Sequence, residues 1–237
     1  MMTEFFEKTK GGLIVSCYTA EEQNPLFNNS EAMSALAKSV EAGGARAIRV
    51  NVKWIPLFKT LVKIPIMGIK KVFQGNEMRI TPTLKEIEEI ARAGADAIAI
   101  DATRRSRFDE LSLEQFICEI KAHFQIPVLG DISILEEGIQ AAQWGIDGVS
   151  TTLSGYTPYS FHYGKLGDIP PKEADYQLID ELKKAINIPI ICEGRINTPE
   201  KAALAIEHGA HAVVVGTAIT NPQKITELFS AKIKKVY

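Results

Sequence analysis

With 237 residues, the chain is long enough for one large domain with a full core. A formal charge of −2 and a charged fraction of 24% leave no electrostatic footprint for nucleic acid or an acidic membrane surface. No apolar stretch approaches the ~20 residues of a membrane helix, the segment Met1–Lys10 carries acids instead of a signal-peptide core, and three cysteines (Cys17, Cys118, Cys192) read as reduced thiols of a cytoplasmic protein.

Eight short apolar runs are predicted as strands: Leu13–Cys17, Ala47–Val50, Ile66–Ile69, Ala97–Asp101, Val128–Asp131, Gly148–Thr151, Ile190–Glu193 and Ala212–Val215. Helices are predicted between and after them. Ser30–Ala42 carries Met33, Leu36, Ala37 and Val40 on one face. Pro56–Val62 is short and loosely periodic. Leu84–Ala93, Ser112–His123 and Ile134–Trp144 open on the capping boxes Thr83-x-x-Glu86, Ser112-x-x-Gln115 and Ser133-x-x-Glu136. Tyr176–Ile186, Pro199–His208 and Pro222–Val236 follow. Eight strand–helix pairs predict a closed (β/α)8 barrel spanning 1–237 as one domain.

A weak internal repeat points the same way. Ile64-Pro65, Ile126-Pro127 and Ile188-Pro189 are evenly spaced, and each precedes an odd-numbered strand. The even-numbered strands follow Gly44, Gly94, Gly145 and Gly209 instead, where glycine ends the preceding helix. That pattern predicts a barrel of doubled βα units. A doubly wound open sheet would carry a glycine-rich fingerprint after its first strand, and this chain has none there. One long loop, 155–175, holds Tyr156, Tyr159, Phe161, His162 and Tyr163, and is expected to be an ordered lid.

In such a barrel, polar residues at the C-terminal ends of strands face the active site. Those residues are Ser16, Arg49, Asn51, Lys70, Lys71, Asp101, Asp131, Thr151, Thr152, Glu193, Arg195 and Gly216. Cys192-Glu193-Gly194-Arg195 and Val215-Gly216-Thr217 are adjacent strand-to-helix turns with bare backbone N–H groups, which suits a phosphate. The set offers two acid–base groups, Lys71 and Glu193, and two cations for anions, Arg49 and Arg195. No Cys/His cluster suits a metal. Plainer readings stand beside these. Glu193 could merely pair with Arg195, Asp101 and Asp131 could be caps, and Arg104, Arg105 and Arg107 could be a solvated cluster. Cys17 and Cys192 read as small buried apolar residues.

Gly12-Leu13-Ile14-Val15-Ser16-Cys17, Ile80-Thr81-Pro82-Thr83, Ala99-Ile100-Asp101-Ala102-Thr103, Thr151-Thr152-Leu153-Ser154-Gly155-Tyr156-Thr157, Glu193-Gly194-Arg195-Ile196-Asn197-Thr198-Pro199 and Val214-Val215-Gly216-Thr217 resemble the N-acylglucosamine-6-phosphate 2-epimerases. The resemblance runs from Gly11 to Phe229. It implies a cofactor-independent interconversion of N-acetylmannosamine 6-phosphate and N-acetylglucosamine 6-phosphate in sialic acid breakdown. It also implies a catalytic lysine after the third strand. An ungapped count from Gly68 puts this at Lys71, with Lys70 the alternative on the opposite strand face. The family's catalytic glutamate matches Glu193, and its substrate contacts match Arg49 and Asp131, with Ser16 and Thr152 beside them. Its phosphate-binding backbone matches Gly194, Arg195, Gly216 and Thr217. Two departures stand out: Tyr18 occupies the place of the family's glutamine, and Val72-Phe73-Gln74 makes the segment after the lysine one residue short.

Removing a proton from C2, beside a C1 carbonyl, calls for a neutral base in hydrogen-bond reach and a stabilised enolate, with no redox cofactor. Two rivals keep the phosphate site: another phosphosugar isomerase or lyase, using the same lysine through a Schiff base, and a non-catalytic phosphosugar-binding barrel. Barrels of this kind often form homodimers, for which Trp144 or the C-terminal helix is the candidate contact.

Overall fold

The computed structural model describes residues 3–160 and 173–235. Its strands are β1 (Gly12–Ser16), β2 (Ala47–Asn51), β3 (Ile66–Ile69), β4 (Lys71–Gln74), β5 (Glu77–Ile80), β6 (Ala97–Asp101), β7 (Val128–Asp131), β8 (Gly148–Ser150), β9 (Ile190–Glu193) and β10 (Ala212–Val215). All but β4 and β5 close into one parallel barrel, in the spatial order β1-β2-β3-β6-β7-β8-β9-β10. The helices are α1 (Glu4–Thr9), α2 (Tyr18–Gln23), α3 (Ser30–Ala42), α4 (Ile55–Leu61), α5 (Leu84–Arg92), α6 (Leu113–His123), α7 (Leu135–Gln143), α8 (Tyr176–Ala185), α9 (Pro199–Glu207), α10 (Thr217–Thr220) and α11 (Pro222–Lys234). The predicted (β/α)8 barrel is therefore present, with element ends within a residue or two of the expected ones.

The doubled βα unit has a hydrogen-bond basis. The carbonyls of Pro65, Pro127 and Pro189 accept from the N–H groups of Ile48, Ile98 and Val149, each on the preceding even strand. Proline lacks a donor, so it sits at the strand's entrance and contributes only its acceptor. Asp96 and Asp147, just before β6 and β8, use their carboxylates to accept from the N–H groups of Ile66 and Val128. Gly44, Gly94, Gly145 and Gly209 all end helices at positive φ.

Strand parity sorts the side chains into two cores. Ile14, Ala47, Met67, Ala97, Ala99, Leu129, Ile191, Ala212 and Val214 fill the barrel interior. Their sequence neighbours Val15, Ile48, Ile98, Ile100, Val128, Val149 and Val213 pack outward against the helices. Cys17 and Cys192 belong to the outer set, and burial pushes both thiols up to about 12.

Four pieces lay outside the sequence expectations. Helix α1 closes the N-terminal end of the barrel with Phe5 and Phe6. At Gly148 a Cβ would lie 2.7 Å from the Phe6 ring, so that ring and the small residue fit as a pair. The antiparallel hairpin β4–β5 stands above the mouth, pairing Lys71 with Ile80. The short helices α2 and α10 begin directly after β1 and β10.

One cap is shifted from the expected residue. Glu137, not Glu136, closes the start of α7, because the helix begins one residue later than predicted. Its fully buried carboxylate accepts from the Ser133 N–H at 2.7 Å, the Ser133 hydroxyl at 2.8 Å, the Ile134 N–H at 3.3 Å and the Arg104 N–H at 2.8 Å. Burial pushes this carboxyl above its ordinary range despite those donors. Glu137→Ala would orphan buried donors from two loops and should cost about 3 kcal/mol. Urea denaturation checks this, and a loss under about 1 kcal/mol would mean that water replaces the carboxylate.

The expected lid lies partly outside the described residues: Phe161, His162 and Tyr163 fall within 161–172. Its first part is ordered, with the Ser160 hydroxyl accepting from the Gly155 and Thr157 N–H groups.

Candidate active site

The C-terminal end of the barrel gathers its charges by register. Ser16 lies opposite Arg49, Asp131 opposite Ser150, and Glu193 opposite Val214. Inward parity at this level therefore puts Arg49, Asp131 and Glu193 on one floor. Arg49 binds Asp131 with both guanidinium arms, at 3.0 and 2.6 Å, and reaches Glu193 Oε2 at 2.9 Å. Both Arg49 and Asp131 are buried, while the Glu193 side chain keeps 15% of its exposure and looks into the mouth.

The electrostatics follow from that stacking. Burial opposes the charge of Arg49, but Asp131 and Glu193 outweigh it and hold the guanidinium pKa above its ordinary value. Burial pushes the Glu193 carboxyl up. Asp131 adds to this, whereas Arg49, Thr152 and Lys71 oppose it. Thr152 Oγ1 lies 2.7 Å from Asp131 Oδ1 and 3.1 Å from Glu193 Oε2, a hydroxyl shared between the two acids. The Thr151 hydroxyl fixes the Glu193 backbone, accepting its N–H at 3.1 Å and donating to its carbonyl at 3.0 Å.

Lys70 and Lys71 part company at the end of β3. Lys70 turns outward to Glu89 of α5, at 2.5 Å. Lys71 turns to the mouth, where its side chain is 18% exposed, and sits near enough to Glu193 to act on its ionisation. Its Nζ lies 2.5 Å from Glu22 and 4.6 Å from the ring centroid of Tyr18, both on α2. Tyr18 is buried, and burial pushes its phenol above the ordinary range.

The turn after β9 holds Gly194 at φ 107° and Arg195 at φ 61°. A non-glycine residue there is strained, and such strain concentrates at functional turns. The Arg195 side chain braces the long loop, donating to the carbonyls of Ser154 at 2.7 Å and Glu173 at 2.6 Å. Glu193 pairs with Arg49 and not with Arg195. On the neighbouring strand, Gly216 leads into α10, whose first N–H groups have no acceptor within the helix. Ser16 is buried in the wall, and its carbonyl accepts from the Thr220 hydroxyl at 3.0 Å.

Asp101 lies opposite Asp131 in register but makes its bonds within its own loop. Its Oδ1 accepts from the Thr103 N–H and hydroxyl, and its other oxygen pairs with Arg105. Arg107 pairs with Asp109 and stacks over Phe116, so this arginine cluster is mostly internal to its loop. No group of His, Cys, Asp and Glu able to hold a metal ion is found among the described residues.

Sequence reasoning missed Glu22 and gave Thr81 no role of its own. Glu22 follows β1 on a helix of only six residues, too short to show a period. Thr81, fully buried at φ 47°, accepts the Lys70 N–H on its hydroxyl at 3.1 Å and donates its own N–H to the Lys70 carbonyl at 2.7 Å.

Comparison with known proteins places the chain among its relatives. The family profile NanE, described as "Putative N-acetylmannosamine-6-phosphate epimerase", matches residues 33–235. Curated relatives bearing the corresponding 2-epimerase name come from Caldanaerobacter subterraneus subsp. tengcongensis (46% identical, covering 99% of this chain and 96% of the relative) and Clostridium perfringens (44% identical, covering 95% and 98%). The solved structure of the N-acetylmannosamine-6-phosphate 2-epimerase from Clostridium perfringens superposes with a TM-score of 0.86 at 41% identity, over 98% of this chain and 97% of that one.

Proposed function

The chain belongs to the N-acetylmannosamine-6-phosphate epimerase family, and from that premise we propose how its mouth carries out the reaction. The activity is 2-epimerisation of N-acetylmannosamine 6-phosphate to N-acetylglucosamine 6-phosphate, an isomerase step of amino sugar catabolism. In our reading Lys71, as the neutral amine, takes the C2 proton of the open-chain sugar. The C2–H bond breaks, an N–H bond forms, and the electron pair moves toward the C1 carbonyl. Delivering a proton, exchanged with solvent on the amine, to the other face of C2 completes the epimerisation, so nothing is oxidised or reduced and no cofactor takes part.

Glu193 serves the O1/O5 side, moving a proton as the ring opens. Burial holds its pKa above the ordinary carboxylate range, the direction a proton-moving carboxyl needs. Arg49 holds Glu193 and offers positive charge to the developing enolate from beneath. Asp131 has no exposure, so it acts by fixing Arg49 while Thr152 and Ser16 line the wall. Backbone N–H groups of Gly194, Arg195, Gly216 and Thr217 receive the 6-phosphate, which orients the reacting carbon. The observation carrying this reading is the Arg49–Asp131–Glu193 floor with Lys71 above it. Proton NMR in deuterium oxide tests it: N-acetylmannosamine 6-phosphate should give N-acetylglucosamine 6-phosphate deuterated at C2. No exchange with the wild-type protein would overturn the assignment.

The same reading includes a homodimer in the cytoplasm. Helix α11 packs no residue into its own barrel. Leu228, Phe229 and Ile233 lie on one face at 59, 69 and 58% exposure. The place where the eighth helix of a barrel belongs is a groove of 430 Å³ over β1, β10 and α9, lined by Leu13, Ala202, Ile206, Val213, Val215 and Ile219 among others. An uncovered apolar helix and an uncovered apolar groove on one chain fit an exchange of α11 between two copies. Trp144 instead packs against its own core. Light scattering should give twice the chain mass of 26.1 kDa, and Phe229→Asp should shift it toward the monomer. A monomeric wild type would exclude the exchange.

A further inference from the structure

We propose that Glu22 is a positioning residue for Lys71, gripping the head of the base while Thr81 pins the backbone of the preceding Lys70. The inference rests on Lys71 being the base and assigns it a partner on a different element. Helix α2 starts at Tyr18, immediately after Cys17, and so leans over the mouth of the barrel. Tyr18 and Glu22 are four residues apart and share one helix face. That face meets Lys71, with the carboxylate 2.5 Å from Nζ and the Tyr18 ring 4.6 Å away. The Tyr18 ring is itself fixed by burial.

A lysine side chain has four rotatable bonds, and a base that wanders is a poor base. In this protein both ends are held. The backbone beside it is pinned by two hydrogen bonds between Lys70 and the strained Thr81. The amine end is held by Glu22 from α2. When Lys71 takes the C2 proton, its nitrogen becomes an ammonium. Glu22 then accepts a hydrogen bond from that ammonium and balances its charge until a proton is delivered to C2. Glu22 neither touches the sugar nor gains the proton, so its work is done through Lys71. The Tyr18 ring supplies a flat face for the lysine head.

The experiment compares Glu22→Gln, Glu22→Ala and Lys71→Ala by C2 exchange of N-acetylmannosamine 6-phosphate in deuterium oxide, with kcat and KM measured separately. Misplacing a catalytic group by about 1 Å costs on the order of 10²-fold. Glu22→Gln should therefore lower kcat by about that factor with KM little changed. Glu22→Ala leaves a carboxylate-sized gap, and added formate should restore its kcat along a saturating curve. A wild-type kcat in Glu22→Gln overturns the proposal. So does a fall in kcat matched by a rise in KM that formate leaves untouched, since that is the mark of a merely structural residue. Full exchange in Lys71→Ala would instead remove the base assignment beneath it, whereas a dead Lys71→Ala beside a normal Glu22→Gln would remove only the grip.

Discussion

Lys71→Ala is expected to slow C2 proton exchange by about 10³-fold, within the range for loss of a positioned general base, while Lys70→Ala stays near wild type. The two lysines are adjacent, equally basic in composition and indistinguishable by count. Their environments differ. Lys70 makes a surface ion pair with Glu89 across the outside of the barrel, and such exposed pairs contribute little. Lys71 is more enclosed, faces the floor of the mouth and acts on Glu193. The measurement is the decay of the C2 proton signal in deuterium oxide, at saturating substrate and at low substrate. A loss in kcat with KM retained identifies a group working in the transition state. Equal damage from Lys70→Ala, or none from Lys71→Ala, would mean that the hairpin carries the base in another register.

Much of the barrel was legible because its signals are local. Pro65, Pro127 and Pro189 mark strand entrances where an N–H would be surplus, and Gly94 and Gly145 mark helix exits that need positive φ. Thr83 and Ser112 announce the helices they cap. Glu137 shows the limit: a one-residue shift of the helix start handed the cap to the neighbouring acid, and no pattern in the sequence separates Glu136 from Glu137. The inward direction of Arg49, Asp131 and Glu193 followed from strand ends. Their mutual bonding did not, because it depends on the register across β2, β7 and β9. Two long-range contacts were invisible for another reason. The plug of α1 and the reach of α2 to Lys71 both come from six-residue helices, whose placement is set by tertiary packing alone.

Arg49→Met should be the most destabilising single change in the site, costing about 3–5 kcal/mol, because it leaves two carboxylates without their buried cation. For a chain of this size that is a fall in Tm on the order of 10 °C. Arg49→Lys should recover little, since an ammonium cannot span both oxygens of Asp131 as the guanidinium does. The loss should also depend on pH, and its sign follows from Glu193. Burial already pushes that carboxyl above its ordinary range in the folded protein, with Arg49 opposing the rise. Without Arg49 the folded value climbs further while the unfolded value stays put. The folded variant then binds the extra proton between those two values, so its stability is greatest at low pH and falls as pH rises through the folded value. Urea denaturation of wild type and Arg49→Met near pH 5 and near pH 8 measures this directly. A deficit much smaller at pH 5 shows that a proton can stand in for the guanidinium. An equal deficit at both pH values would mean that Arg49 holds the floor by packing, and that its charge is free to act on the substrate alone.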